Sequence, residues 1–112
     1  MRRLLPVLAL LTALVTIAAL ATASAKDDPA VARGRTLFAS VGCYECHGYA
    51  GQGGAAGARI AATAWPYVAF SAYVRHPGRE MPPYTEKVLS DADLRAIYAY
   101  VKSLPSPAPP SR

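Results

Sequence analysis

Between residues 29 and 104 the apolar positions fall into three groups with a helical period, separated by two stretches with none. In PAVARGRTLFASV, Val31, Gly34, Leu37, Phe38 and Val41 share one face, which predicts a helix from Pro29 to Val41. Asp28 supplies an N-cap ahead of a proline at the first helical position, and Gly42 ends the run. PYVAFSAYVR predicts a second helix, Pro66 to Arg75, with Tyr67, Phe70, Tyr73 and Val74 facing inward; His76-Pro77 stops it. The third is the clearest. Ser90 is its N-cap, with Asp93 three residues on in a near capping box. Leu94, Ile97, Tyr98, Val101 and Leu104 form its stripe, and Pro105 terminates it.

The intervening stretches read differently. Gly48 to Gly57 holds five glycines and no apolar period, and Gly78 to Thr85 is broken by Gly78, Pro82 and Pro83. No strand and no internal repeat are expected. The pattern is all-α: three main helices and two irregular loops. That is too little regular structure to close a core unless something occupies the space between the loops.

The chain does not begin with the fold. Arg2 and Arg3 precede an apolar run from Leu4 to Leu20, and Ala23-Ser24-Ala25 has the small-x-small pattern of a cleavage site. We expect residues 1–25 to be a secretory signal peptide cleaved after Ala25, and the mature protein to be periplasmic. An uncleaved anchor is the alternative, since the run approaches the ~20 residues a spanning helix needs. The run is rich in alanine and threonine and Pro6 interrupts its start, so retention, and with it stable membrane insertion, is not expected. One domain is expected over 26–105, with a proline-rich disordered tail over 106–112, the end of the stretch PSPAPPSR that begins at Pro105.

Composition narrows the picture. A domain this small gains only marginal stability from apolar burial and often uses a crosslink, metal or cofactor. Removing Arg2 and Arg3 with the leader lowers the formal charge from +5 to +3, and no basic run is interleaved with aromatics, which excludes a nucleic-acid-binding density. Export to an oxidising compartment makes a disulfide the plainest use for the two cysteines.

Their setting points elsewhere. Cys43-Tyr44-Glu45-Cys46-His47 is the C-x-x-C-H attachment signature for one covalently bound haem c. Each thiol adds to one vinyl group of the porphyrin, and the adjacent His47 becomes the proximal iron ligand. A Cys43–Cys46 disulfide would close a loop too short to stabilise much and leave His47 unexplained. A thioredoxin-like pair needs a βαβ context that is absent, and a zinc site wants four ligands, where only Cys43, Cys46, His47 and the distant His76 are on offer. For the sixth iron position the candidate is Met81, the only methionine after the leader, in the loop sequence REMPPYTE. His76, or an open position, is the alternative.

Gly34 and Phe38 ahead of CYECHG, a glycine-rich loop, then MPPY and LSDADLRAIYAYVKSLP follow an order that resembles the small class I c-type cytochromes of bacteria. The resemblance covers essentially all of the chain after the leader. It implies the cytochrome c fold, with N- and C-terminal helices crossing at Gly34 and Phe38 on one side and Ile97 and Tyr100 on the other. The family often has Gly-Pro-x-Leu after the haem loop, with the proline carbonyl accepting the proton of the proximal histidine. Here the stretch is Gly57-Ala58-Arg59-Ile60, so Ala58 would have to supply that carbonyl. Arg59, Trp65 and Tyr73 are candidate donors to the haem propionates.

With both axial positions filled, the expected function is electron transfer rather than catalysis. The partners would be redox proteins: a periplasmic dehydrogenase upstream and an oxidase or another cytochrome downstream. MPPY followed by an LSDADL-type helix is also similar to carriers and subunits of periplasmic dehydrogenases, so a haem subunit of a larger oxidoreductase is the alternative. A haem enzyme or gas sensor with an open distal site is a third. Arg33, Arg35, Arg75, Arg79 and Lys87 are candidates for a weak steering surface, against the plainer reading of a solvated face.

Overall fold

The computed structural model describes residues 28–106. The expected leader and the tail from 107 onward lie outside the described residues. Among the described residues there are four helices and no strand: α1 (Pro29–Ser40), α2 (Cys43–His47), α3 (Tyr67–Arg75) and α4 (Asp91–Ser103). The architecture is all-α, as the apolar pattern predicts.

The helix ends form for the reasons the sequence offers. The Asp28 carboxylate accepts from the Ala30 N–H at 2.8 Å, and Ser90 Oγ accepts from the Asp93 N–H at 3.1 Å, so each cap satisfies a donor that the first turn leaves unpaired. The expected capping box at Ser90 is only half made. The Asp93 carboxylate does not reach back to its own helix; it pairs with Arg33 on α1. The expected helix over 66–75 begins one residue later, with Pro66 as its cap.

The first and last helices form the principal helix pair. They meet backbone to backbone at Gly34. A Cβ there would collide with the Ala96 carbonyl oxygen and lie 2.9 Å from Tyr100 Cβ. One turn on, Phe38 packs edge-on against Tyr100, with ring centroids 5.4 Å apart. Tyr100 is therefore a partner as the resemblance implied, and Ala96 is a further one. Phe38, Leu94 and Val101 are the most deeply buried side chains, at 1%, 1% and 0% exposure. Each such burial contributes about 1.5–3 kcal/mol.

α3 docks on α4 through aromatic and polar contacts. Tyr67 and Phe70 both pack against Tyr98, with centroids 5.4 and 5.2 Å away. Tyr67 Oη donates to Asp91 Oδ1 at 2.5 Å, Arg95 donates to the other oxygen at 3.0 Å, and the Arg95 guanidinium lies over the Tyr67 ring. Burial, with the bond to Asp91 behind it, pushes the Tyr67 hydroxyl up to about 12. Tyr73, expected to face inward, is instead more than a third exposed and sits edge-on to Trp65.

Two predictions follow from these contacts. An alanine in an exposed helix is better than glycine by about 1 kcal/mol, but Gly34→Ala forces α1 off α4. We expect a loss of about 1–3 kcal/mol in denaturant unfolding of the haem-loaded protein; an unchanged or raised stability would contradict the contact. The Asp93 carboxyl is held below its usual range, first by Arg33 and then by Ser90. A carboxylate depressed in the folded state stabilises above its unfolded pKa, and that contribution is lost as pH falls through the folded value. The stability gap between wild type and Asp93→Asn should therefore be constant above about pH 5 and shrink below about pH 4; a gap independent of pH in acid would show the pair to be inert.

Candidate functional site

The short helix α2 is the piece of regular structure the apolar pattern did not signal, because five residues are too few for a period. It explains the motif's spacing. Cys46 lies three residues and His47 four residues after Cys43, so on one helical turn all three side chains share a side. All three line one large cavity of about 1480 Å³. Its other walls include Phe38 from α1, Phe70 and Val74 from α3, and Leu94 and Ile97 from α4.

The glycine-rich loop after α2 is irregular but well bonded. The Gly53 N–H returns to the His47 carbonyl at 2.8 Å, and the Gly51 carbonyl accepts from both Ile60 and Ala61. The Ala62 N–H reaches the Val101 carbonyl on α4 at 3.0 Å. Ala62 adopts φ 53° to do so, a left-handed conformation costing a non-glycine residue about 1–2 kcal/mol. Gly57 brings the loop flat against α2: a Cβ there would sit 2.7 Å from the Cys46 carbonyl oxygen. That contact sets the next residue in place. His47 Nδ1 lies 2.6 Å from the Ala58 carbonyl oxygen. A carbonyl can only accept, so Nδ1 carries the proton, and Nε2 is left with its lone pair for a metal. The loop thus makes, with alanine, the bond for which the resemblance implied a proline carbonyl.

The thiols are not joined to one another. Burial is the main influence on Cys43 and pushes it up to about 11, against a smaller lowering by a backbone hydrogen bond. A thiol so protonated is slow in disulfide exchange, which needs thiolate. Among the described residues no group of three or more His, Cys, Asp or Glu converges as a metal site.

Met81 is half-buried and lines the same cavity as His47. His76 does not line it. It caps the exposed end of α3, beside a small surface hollow with Trp65 and Tyr73. Arg59, Trp65 and Tyr73 all line the large cavity, as do Arg79, expected only as part of a steering surface, and Glu80, which the sequence did not single out. Arg59 Nε donates to the Gln52 carbonyl at 3.4 Å, and Tyr73 Oη to the Gly78 carbonyl at 3.5 Å.

Two members of the expected steering surface are engaged elsewhere. Arg33 pairs with Asp93. Arg75 is partly buried, and its Nη1 donates to the Tyr84 carbonyl at 2.9 Å and the Leu89 carbonyl at 2.7 Å. Nothing in the sequence flagged this role. An arginine at a helix C-terminus reads as solvated, and only the return path of residues 76–89 turns it inward.

Does the cavity suit the group the motif implies? Protein interiors are close-packed, with few voids larger than a water molecule, and small-molecule pockets run to about 300–1,000 Å³. A larger space, walled by apolar side chains and edged by two thiols and an imidazole with its outer nitrogen already bonded, fits a bulky apolar macrocycle with a metal at its centre.

One comparison with known proteins agrees. A family model described as cytochrome C oxidase, cbb3-type, subunit III matches residues 29–101, a span running from the first residue of α1 to near the end of α4. No curated protein and no solved structure matches the chain. The chain belongs to the family that this match defines and is a small c-type cytochrome, a domain for haem-based electron transfer.

Proposed function

We propose that the chain is an exported one-electron carrier holding a single haem, tethered by Cys43 and Cys46 and ligated by His47 and Met81. The observation that carries this reading is that His47 and Met81 both line the one large cavity, while His76 lies outside it. When bound, the haem supplies a metal centre that cycles between ferrous and ferric without a change in bonding.

The protein's part is to fix and shield. The Ala58 carbonyl orients His47 and raises its basicity through Nδ1. Phe38, Leu94 and Ile97 keep water from the buried side of the cavity, which favours the less charged form of any ion placed there. As the second protein ligand, the Met81 thioether would raise the potential further and leave no open position for substrate. Electrons would arrive from a dehydrogenase and leave to an oxidase or another cytochrome, in the periplasm once residues 1–25 are removed. Among the described residues no helix is long and apolar enough to cross a membrane.

A second reading is favoured by the wording of the family match, which names a subunit. On that reading the domain hands electrons to a catalytic subunit within a stable oxidoreductase complex. Purification from the native periplasm and membrane separates the two: a lone chain carrying one haem supports the carrier, and stoichiometric co-purifying subunits support the complex.

Met81→Ala tests the ligand set. The ferric charge-transfer band at long wavelength that marks a methionine–iron bond should vanish, the ferrous protein should gain carbon monoxide binding, and the midpoint potential should fall. Spectra identical to wild type would overturn the His47/Met81 assignment and reopen the reading as an enzyme or gas sensor.

A further inference from the structure

We infer that Arg75 is the positioning residue for the methionine loop, holding Met81 against exchange by competing ligands. The inference rests on the reading of Met81 as an axial ligand.

The loop that carries Met81 leaves α3 after Arg75 and rejoins the helical frame at Ser90. Met81 stands near its middle, followed by Pro82 and Pro83, which lack N–H groups and so cannot anchor the backbone through them. Arg79, two residues before Met81, adopts φ 59°, a conformation that an arginine keeps only where its surroundings hold it. Among the described residues the segment Arg79–Pro83 makes no backbone–backbone hydrogen bond. Its course is set at its two ends. On the near side the hold is weak, the 3.5 Å contact from Tyr73 Oη to the Gly78 carbonyl. On the far side it is concentrated at Tyr84. The Tyr84 N–H donates to the Val74 carbonyl at 3.1 Å, its hydroxyl to the Val41 carbonyl at 2.9 Å, and its own carbonyl accepts from Arg75.

Arg75 does more than close that one bond. The same Nη1 also holds the Leu89 carbonyl, so a single planar cation fixes residues 84 and 89 relative to each other and to the end of α3. Leu89 is buried in the core, which gives the clamp an immobile reference. Arg75 Nη2 is buried and has no hydrogen-bond partner among the described residues. Burying a donor unpaired is costly, and the rest of the fold offers no reason for this one. The cost is offset if the rigid fork is what places the loop: a guanidinium presents its donors in a fixed plane, whereas a lysine ammonium is a point charge on a flexible stem.

The test reads the grip on the sixth position, with imidazole as the competing ligand for the ferric, haem-loaded protein. Arg75→Lys keeps the charge but loses the fork. It should tighten imidazole binding by about tenfold or more, and lower the pH at which the long-wavelength ferric band is lost. Tyr84→Phe, which cuts only the bond to Val41, should move both readouts the same way by a smaller factor and serves if Arg75→Lys does not fold. Tyr67→Phe is the control, because it loosens α3 from α4 without touching the loop. An effect of Tyr67→Phe equal to that of Arg75→Lys would mean a general loss of stability and overturn the proposal. So would imidazole affinities for Arg75→Lys and wild type within about twofold of each other. Met81→Ala distinguishes the two layers. If it tightens imidazole binding while Arg75→Lys does not, the ligand stands and the role of Arg75 alone falls. If it changes neither affinity nor spectrum, Met81 is not the ligand and the proposal falls with it.

Discussion

The apolar faces of this domain close on one another only in part. They also close on a cavity of about 1480 Å³, and that constraint governs the rest of the structure. Phe38, Leu94 and Ile97 are buried among their neighbours, yet each also forms part of the cavity wall. A domain of this size has little apolar surface to spare. A hollow centre would forfeit much of the dispersion energy that packing supplies. Filling the space with one large apolar group, tied to the chain at two points, turns the deficit into a core. A covalently held haem of the kind the family implies would thus be as much a folding device as a cofactor.

The frame around that centre is built from contacts that tolerate little change. Gly34 lets α1 touch the backbone of α4, which fixes the angle from which Phe38 enters. The loop after α2 is tied to α4 by the bond from Ala62 to Val101, so α2 and its histidine are referenced to the same helix pair. The methionine loop is referenced to α3 through Arg75 and to the end of α1 through Tyr84. His47 and Met81 reach the cavity on separate segments, yet both trace to one rigid set of helices. Low reorganisation on gain or loss of an electron demands such a frame.

The helices and the motif were legible in the sequence because they rest on local rules. Asp28 and Ser90 cap, Pro105 terminates, and the i, i+3, i+4 spacing of Leu94, Ile97 and Tyr98 marks the inward face. C-x-x-C-H is legible because its chemistry needs that spacing on one helical turn. What escaped depends on long-range return of the chain. Arg75 reads as a solvated helix-end cation until residues 84 and 89 come back to its side. Asp93 reads as half of a capping box until Arg33 arrives from sixty residues away. Leu89 stands alone in an irregular stretch, without a periodic partner, and yet is buried. The Ala58 carbonyl carries no side-chain signal at all; only the resemblance marked it, and only the loop geometry shows it 2.6 Å from His47.

If the cavity seats a tethered group, the fold depends on that group being retained. Thermal unfolding of the Cys43→Ala/Cys46→Ala double variant, followed by circular dichroism beside the haem-loaded wild type, measures that dependence. The account predicts that the variant, unable to retain the group, loses most of its helical signal and its cooperative transition. A haem-free variant that kept wild-type helicity and unfolded in one sharp transition would contradict it.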